Sequence, residues 1–365
     1  MDGNTPKNSQ NSLYKLYKQR LIDASQLSEL QPVAQQFGVA ITTAMTGQAD
    51  PADPDCPVAA QFVPDVRELT VLEQELHDPI GDHEHAPVKG IIHRYPDRVL
   101  LTPVYVCPVY CRFCFRREDV GSEPMLSDEE LEAALDYIRN DEGIWEVILS
   151  GGDPLILSPR RLQNILKKLR EIGHVKIIRI HTRVPVVKPG AITAELVTIL
   201  RAANPVYIVI HTNHAQEFGE AAEDACAALA DAGLPLLSQS VLLKGVNNDA
   251  KTLESLMRKL VENRIRPYYL HHADQARGTS HFRTTIREGL ELTTALRGRL
   301  SGLCQPQYVL DIPGGHGKSP LSADWLTETA PGNWEVRDFR GNSHPFVDKD
   351  AKNATCAVTG DSDAE

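Results

Sequence analysis

From about Arg98 onward, short apolar runs rich in β-branched residues alternate with segments whose apolar residues recur at helical spacing. This alternation predicts βαβ units that build a parallel sheet. The apolar runs are Arg98–Val106, Trp145–Leu149, Val175–Ile180, Val206–Ile210, Pro235–Leu237, Arg266–Leu270 and Gln307–Leu310. Because these units are too few for a closed eight-fold barrel, we predict an α/β fold with a partial (β/α)6 TIM-type barrel. A doubly wound sheet would show the same rhythm.

Local signals indicate where several helices begin and end. Ser127 and Glu130 form a capping-box pattern, Ser158 precedes a proline at the first helical position, and Gly233 follows an alanine-rich helical run. Residues 13–38 and the segment from Val66 to Leu76 also show helical spacing. We predict an N-terminal helical extension over residues 1–75, the partial barrel over residues 76–320, and a partly disordered C-terminal extension over residues 321–365.

Composition excludes several classes of function. The chain has 365 residues and a formal net charge of −11, and it lacks a run of basic residues. Broad nucleic-acid binding depends on neutralising phosphates, so we expect no nucleic-acid partner. We expect no membrane partner either, since no apolar run approaches the length of a membrane helix. The first residues have no apolar core of a signal peptide, and we predict a cytoplasmic protein.

Polar and metal-binding residues follow every predicted strand. In parallel α/β folds the loops after the strands form one face, and that face holds the chemistry. A single histidine at a strand end is usually structural, but a whole series of such ends predicts an active site. The strand ends carry Cys107 to Arg117, Ser150 to Asp153, His181 to Arg183, His211 to His214, Ser238 to Ser240, His271 to Asp274, and Asp311 to Lys318.

Cys107, Cys111 and Cys114 have the spacing C-x3-C-x2-C in the loop after the first predicted strand. Three thiolates can ligate three irons of a [4Fe–4S] cluster, and the fourth iron then stays open for a small molecule. The alternative is a structural zinc site completed by a histidine such as His93, although zinc sites usually pair two cysteines with a second pair at a distance.

Lys318 follows a glycine-rich run, PGGHGKS. This run does not fit a phosphate-binding loop, because Ile312 stands where the Walker pattern needs glycine. A lysine presented over a barrel mouth can lose its proton and form a Schiff base, so we predict a catalytic role for Lys318. The alternative is an exposed loop lysine.

These motifs resemble known ones. The cysteine triplet matches the signature of the radical S-adenosylmethionine (SAM) superfamily, CxxxCxΦC, with Phe113 as the aromatic residue. Over about residues 75 to 320 the chain resembles the lysine 2,3-aminomutase family. The resemblance lies in DPIGDHEHAPVKGIIHRYPDRVLL, the cysteine loop, LSGGDPL, SQSVLLKGVN, RPYYLHHADQARGTSHFRT and DIPGGHGK.

The resemblance implies a role for each matching position. Lys318 would carry pyridoxal phosphate, and the cysteines would hold the cluster. Arg94, Tyr95 and Arg98 would hold pyridoxal phosphate; Gly151, Gly152, Asp153, Arg183, His211 and Gln239 would form the SAM pocket. Arg116 would pair with the substrate carboxylate, while Asp274 and Asp311 would bind the distal ammonium of lysine. A glutamate aminomutase should have a cation or an amide at those last two positions.

The implied activity is the interconversion of L-lysine and β-lysine, an isomerisation that requires a low-potential electron donor. We also expect a homo-oligomer. Two positions depart from the family pattern. His316 replaces a glycine of the lysine loop, and the region of Asp249 lacks the cysteine that joins a C-terminal zinc cluster, for which the tail offers only Cys356. We therefore predict no zinc.

Three alternatives stay open at this stage. The β-lysine could serve the modification of elongation factor P, the substrate could be a related basic amino acid such as ornithine, or the chain could be a non-catalytic iron–sulfur protein.

Overall fold

A nine-stranded sheet forms the centre of the protein, and its strands neighbour one another in chain order. The computed structural model describes residues 9–121 and 124–348. The strands are β1 Ile91–Tyr95, β2 Arg98–Val104, β3 Glu146–Gly151, β4 Ile177–Thr182, β5 Val206–His211, β6 Leu236–Leu242, β7 Arg266–His272, β8 Gln307–Asp311 and β9 Lys318–Pro320. Strands β2 to β8 pair in parallel, whereas β1 and β9 pair antiparallel to their neighbours.

The sheet is curled into an open barrel, which confirms the predicted partial (β/α)6 fold. Its first and last strands have no mutual backbone ladder among the described residues. A side chain joins them instead: the backbone N–H of Lys318 on β9 donates to the Tyr95 hydroxyl on β1, at 2.8 Å. The lysine loop therefore lies in the gap that a complete barrel would fill with further strands.

Helices connect the parallel strands, and their start signals agree with the sequence. The connecting helices are α6 Asp128–Asn140, α7 Pro159–Glu171, α8 Val184–Val187, α9 Ala194–Ala202, α10 Glu220–Asp231, α11 Ala250–Glu262 and α12 Ile286–Leu296. The Ser127–Glu130 capping box and the Ser158 cap are both present. Gly233 adopts φ 79° two residues after α10 ends, so the predicted helix stop is confirmed.

The period-two alternation of a strand decides what faces the helices and what faces the barrel interior. On β4, Ile178 and Ile180 are fully buried in the core shared with the helices. Arg179 and His181 alternate with them and line the interior cavity. The sequence prediction ended its fifth strand at Leu237, yet the corresponding strand β6 continues to Leu242, because Ser238 and Ser240 are buried in the sheet rather than part of a loop.

The N-terminal region consists of short helices packed against the barrel. They are α1 Ser9–Lys18, α2 Gln26–Glu29, α3 Gln31–Gln36, α4 Thr43–Gln48 and α5 Pro57–Phe62. The predicted helix from Val66 to Leu76 is wrong beyond a short 3-10 turn over Val66–Leu69. After this turn the chain continues without a helix to Leu76, whose backbone N–H donates to the Gln275 carbonyl at 2.7 Å.

A separate three-stranded antiparallel sheet follows the barrel, made of β10 Leu326–Ala330, β11 Asn333–Arg337 and β12 Ser343–Val347. Cys356 and the predicted disordered end lie outside the described residues. The predicted domain boundaries stay a prediction. No helix in the described part of the chain has the length and apolar character needed to cross a membrane.

Candidate active site

One cavity of about 690 Å³ lies inside the curled sheet. It brings together every site residue predicted from the sequence, although those residues come from nine different strands or the loops that follow them. These lining residues are Arg94, Tyr95, Arg98, Cys107, Cys111, Cys114, Arg116, Gly151, Gly152, Asp153, Arg183, His211, Gln239, Asp274, Asp311 and Lys318. Their separate roles remain predictions.

The lysine loop is fixed at both of its ends. Lys318 Nζ lies 2.5 Å from Asp311 Oδ1, and Gly317 has φ +89° beside Tyr95. A Cβ at Gly317 would lie 2.9 Å from the Tyr95 hydroxyl, so a larger residue would push the loop away from β1. The close packing directs the Lys318 amine into the cavity.

Asp274 and Asp311 are adjacent carboxylates in different electrostatic states. Burial and the negative charge of Asp311 raise the pKa of Asp274 to about 8. Burial also opposes the ionisation of Asp311, but His271 and Lys318 hold its pKa well below its usual range. Among the described residues, Asp274 Oδ1 is buried without a hydrogen-bond partner. The cavity thus contains an unsatisfied carboxylate that would accept a cation.

Arg116 is held by a residue to which the sequence interpretation gave no role, Asp82. Arg116 Nε donates to Asp82 Oδ2 at 2.7 Å, and Arg94 Nη2 donates to Asp82 Oδ1 at 2.9 Å. Arg116 Nη1 also donates to Ser150 Oγ, at 3.2 Å. These bonds fix the plane of the guanidinium, which suits it to bind a carboxylate. Although burial raises the pKa of Asp82, the arginines lower it below its usual range.

The sequence signal for Asp82 was weak, because it lies in a turn-rich segment where an aspartate usually stabilises the turn itself. Only the fold shows that this turn packs under Arg94 and Arg116.

The three cysteine thiols line the cavity beside several arginines. Arg183 Nη1 donates to Cys111 Sγ at 2.7 Å. Burial and Cys111 raise the pKa of Cys114 to about 11, and burial with nearby Asp153 raises that of Cys107 as well. Within the described ranges, no group of three or more His, Cys, Asp or Glu side chains is placed to hold a single metal ion.

A cubane cluster does not need such convergence, because each thiolate binds a different iron. Soft thiolate donors suit iron–sulfur clusters, and the residues present therefore fit a cluster.

The Gly151–Gly152–Asp153 turn packs tightly against the start of the cysteine loop. A Cβ at Gly152 would lie 2.3 Å from the Val106 carbonyl oxygen, and Gly151 adopts φ +96°. The buried Asp153 carboxylate accepts from Thr182 Oγ1 at 2.7 Å and from the Arg183 backbone N–H at 2.6 Å. Asp153 therefore fixes the end of β4 against the cysteine loop.

Neutral histidines form another part of the wall. The Nε2 atoms of His181 and His211 are buried, and no described residue hydrogen-bonds to either. Burial, together with Arg179 near His181 and Arg183 near His211, holds the pKa of both rings well below the usual range. The sequence prediction gave His181 no specific role, although its place at a strand end was the available signal.

Arginine and tyrosine side chains surround the deeper part of the cavity. The Arg98 guanidinium lies 3.8 Å from the centroid of the Tyr95 ring, and Arg179 pairs with Glu146 at 2.8 Å. The buried Arg94 Nε has no partner among the described residues. Cationic side chains near an amine that can form a Schiff base fit a phosphate-bearing aldehyde cofactor such as pyridoxal phosphate.

Comparison with known proteins finds close relatives. The Radical SAM superfamily matches residues 101–257. The L-lysine 2,3-aminomutase of Clostridium subterminale is 44% identical over 83% of this chain and 73% of that protein. The L-lysine 2,3-aminomutase of Acetoanaerobium sticklandii is 42% identical over the same shares. The glutamate 2,3-aminomutase of Clostridioides difficile is 37% identical over 87% of this chain and 77% of that protein.

Proposed function

The chain belongs to the lysine 2,3-aminomutase family of radical SAM isomerases, and from this premise we propose that its substrate is L-lysine and its product β-lysine. The relatives include a glutamate enzyme, so membership of the family leaves the substrate to be argued from the cavity.

The unsatisfied carboxylate of Asp274 carries the proposal. It is buried beside Asp311, and burial together with that second negative charge raises its pKa to about 8. The distal ammonium of lysine would supply the missing cation. The side-chain carboxylate of glutamate would instead bring a second negative charge beside the ionised Asp311, and a buried site does not screen that repulsion.

The cavity also fits the cofactors of the family. When bound, the [4Fe–4S] cluster and SAM supply radical chemistry, and pyridoxal phosphate supplies an imine-forming aldehyde. Cys107, Cys111 and Cys114 would hold the cluster. Gly151, Gly152, Asp153, Arg183, His211 and Gln239 would form the SAM pocket. Arg94, Tyr95 and Arg98 would hold the phosphate-bearing cofactor whose aldehyde Lys318 binds.

The protein's own residues orient lysine at its two ends. Arg116, fixed by Asp82 and Ser150, would bind the α-carboxylate. Asp274 and Asp311 would bind the distal ammonium. Lys318 Nζ donates a hydrogen bond to Asp311 Oδ1 at 2.5 Å, so Asp311 becomes available to the substrate only when that amine no longer pairs with it. The side chains of Arg116 and Asp311 are largely buried, which strengthens these electrostatic contacts.

The experiment uses protein purified and reconstituted without oxygen. It is incubated with L-lysine, SAM, pyridoxal phosphate and dithionite, and β-lysine is measured by NMR. We expect β-lysine from the wild type and none from Lys318→Ala or Cys111→Ala. Lys251→Ala, an exposed lysine on α11, is the matched control and should keep wild-type activity.

Cleavage of SAM without any change in lysine would leave the radical chemistry standing and overturn the substrate. L-glutamate and L-ornithine would then be tested in the same assay. The proposal further includes a low-potential electron donor, a cytoplasmic location and a homo-oligomer.

A further inference from the structure

A buried ionic network joins the cysteine loop to the N-terminal helices. At its centre is Arg183, whose side chain is 6% exposed. Its guanidinium donates to Cys111 Sγ at 2.7 Å, to Gln61 Oε1 at 2.6 Å and to Glu217 Oε2 at 2.7 Å. Although burial opposes its charge, Cys111 and Glu217 raise the pKa of Arg183 above its usual value, so the guanidinium stays cationic.

The position of this guanidinium is fixed from several directions. The rings of Phe62 and Phe113 lie 4.7 Å and 5.5 Å from it, and the backbone N–H of Arg183 donates to Asp153. Glu217, which is fully buried, also accepts from the Gln61 amide at 3.1 Å and from the Asn213 backbone N–H at 2.8 Å. The Arg183 guanidinium thus lies between the sulfur of Cys111 and the carboxylate of Glu217.

We propose that Arg183 and Glu217 are positioning residues that set the reduction potential of the cluster through the sulfur of Cys111, with Arg183 raising it and Glu217 lowering it. This inference rests on the proposed function only in taking Cys111 as a cluster ligand. Hydrogen bonds and charges around the ligand sulfurs are among the main determinants of such potentials.

The sign follows from the charge balance. An external donor gives one electron to [4Fe–4S]2+, which becomes [4Fe–4S]1+, and no bond or proton changes place. The cluster with its thiolates gains one negative charge. A cation bonded to a ligand sulfur stabilises that added charge, whereas the carboxylate behind it opposes it. Burial keeps solvent from screening either effect.

The test is a redox titration of the reconstituted protein followed by EPR of the reduced cluster, without lysine, SAM or pyridoxal phosphate. We expect Arg183→Gln to make reduction less favourable by about tenfold, which is 59 mV for one electron. Glu217→Gln should shift the potential in the opposite direction. Arg183→Lys keeps the charge and loses the planar donor group, so its shift should be smaller than that of Arg183→Gln.

Arg179→Gln is the matched control. Arg179 lies on β4, four residues before Arg183. Its side chain is 11% exposed and ion-paired, but its partner is Glu146 in the deeper part of the cavity. Arg179→Gln should leave the reduction potential unchanged, even if it destabilises the fold as much as Arg183→Gln does.

Opposite shifts cannot come from general loosening of the structure, which would move both variants the same way. Unchanged potentials in Arg183→Gln and Glu217→Gln, or shifts of equal sign, would overturn the inference. If Arg183→Gln fails to bind iron, the potentials of Glu217→Gln and Arg183→Lys test the inference. It is then overturned if Glu217→Gln does not raise the potential. Because the titration contains no lysine, failure of the lysine assay and failure of this inference are separate outcomes.

Discussion

Asp274 and Asp311 show how position gives the same residue type opposite properties. Asp274 follows β7, Asp311 is the last residue of β8, and both line the cavity. Lys318 and His271 contact Asp311 and stabilise its charge. Asp274 Oδ1 has no such partner in the described ranges, so burial and the negative charge of Asp311 raise its pKa to about 8.

This difference predicts a pH-dependent effect of Asp274→Asn on stability. The pKa of Asp274 in the folded protein lies above its value in the unfolded chain, so between those pKa values the folded state holds a proton that the unfolded state has lost. The free energy of unfolding should therefore fall as pH rises toward 8 and level off above it. The contribution is at most about 1.4 kcal/mol per pH unit.

Asp274→Asn should remove that slope in urea unfolding of the ligand-free protein between pH 5 and 9. Asp231→Asn, which breaks an exposed pair with Arg264, should keep it. In the lysine assay Asp274→Asn should also lower kcat/KM by roughly 100-fold, since an unpaired buried ammonium costs about 3 kcal/mol or more. If the free energy of unfolding of Asp274→Asn depended on pH as in the wild type, the raised pKa of Asp274 would be refuted.

Between elements, a close backbone contact at the site joins the end of β3 to the start of the cysteine loop. A Cβ added at Gly152 would lie 2.3 Å from the backbone carbonyl oxygen of Val106. Backbone cannot move aside as a flexible side chain can, so the loop that carries Cys107 would have to shift.

We expect Gly152→Ala to lower the free energy of unfolding by about 1–3 kcal/mol, as overpacking does, and to reduce the iron bound per chain after reconstitution. Urea unfolding and iron analysis measure the two effects. Gly173→Ala is the control, since no heavy atom lies within 4 Å of the added Cβ there. Normal iron content in a stable Gly152→Ala protein would show that the loop tolerates the shift.

At the scale of the whole molecule, the N-terminal region holds together loops from distant parts of the open barrel. Glu68, which is fully buried, pairs with Arg112 at 2.6 Å and also with Arg117, both in the cysteine loop. Glu75 accepts from the Gly278 backbone N–H at 2.9 Å, in the loop after β7. The predicted N-terminal extension thus contacts both sides of the cavity.

Glu68→Gln should therefore destabilise the protein by about 3–5 kcal/mol, because it leaves two buried arginines without their carboxylate. Urea unfolding at pH 7 measures the loss. Glu254→Gln breaks an exposed pair with Arg258 on α11 and should cost less than about 1 kcal/mol. Equal effects of the two substitutions would mean that the N-terminal region contributes little to holding the cysteine loop.

Local rules account for the part of the fold and site that was predictable. The strand order, the caps at Ser127 and Ser158, and the cysteine loop all depend on residues close together in the chain. The lining of the cavity was also predictable, because in a parallel sheet every strand end reaches the same face. The resemblance assigned roles by position, and those roles await the experiments above.

The sequence by itself determined the alternation of strands and helices, the cysteine spacing and the set of polar strand ends, since each is encoded within a few residues. Only the tertiary structure decided that Asp82 fixes Arg116 and that Glu217 pairs with Arg183. It also decided that Asp274 Oδ1 lacks a hydrogen-bond partner among the described residues, while Asp311 contacts both Lys318 and His271. These contacts and charge states depend on burial and on residues that are far apart in the chain. A local sequence pattern therefore does not indicate which charged side chains will pair.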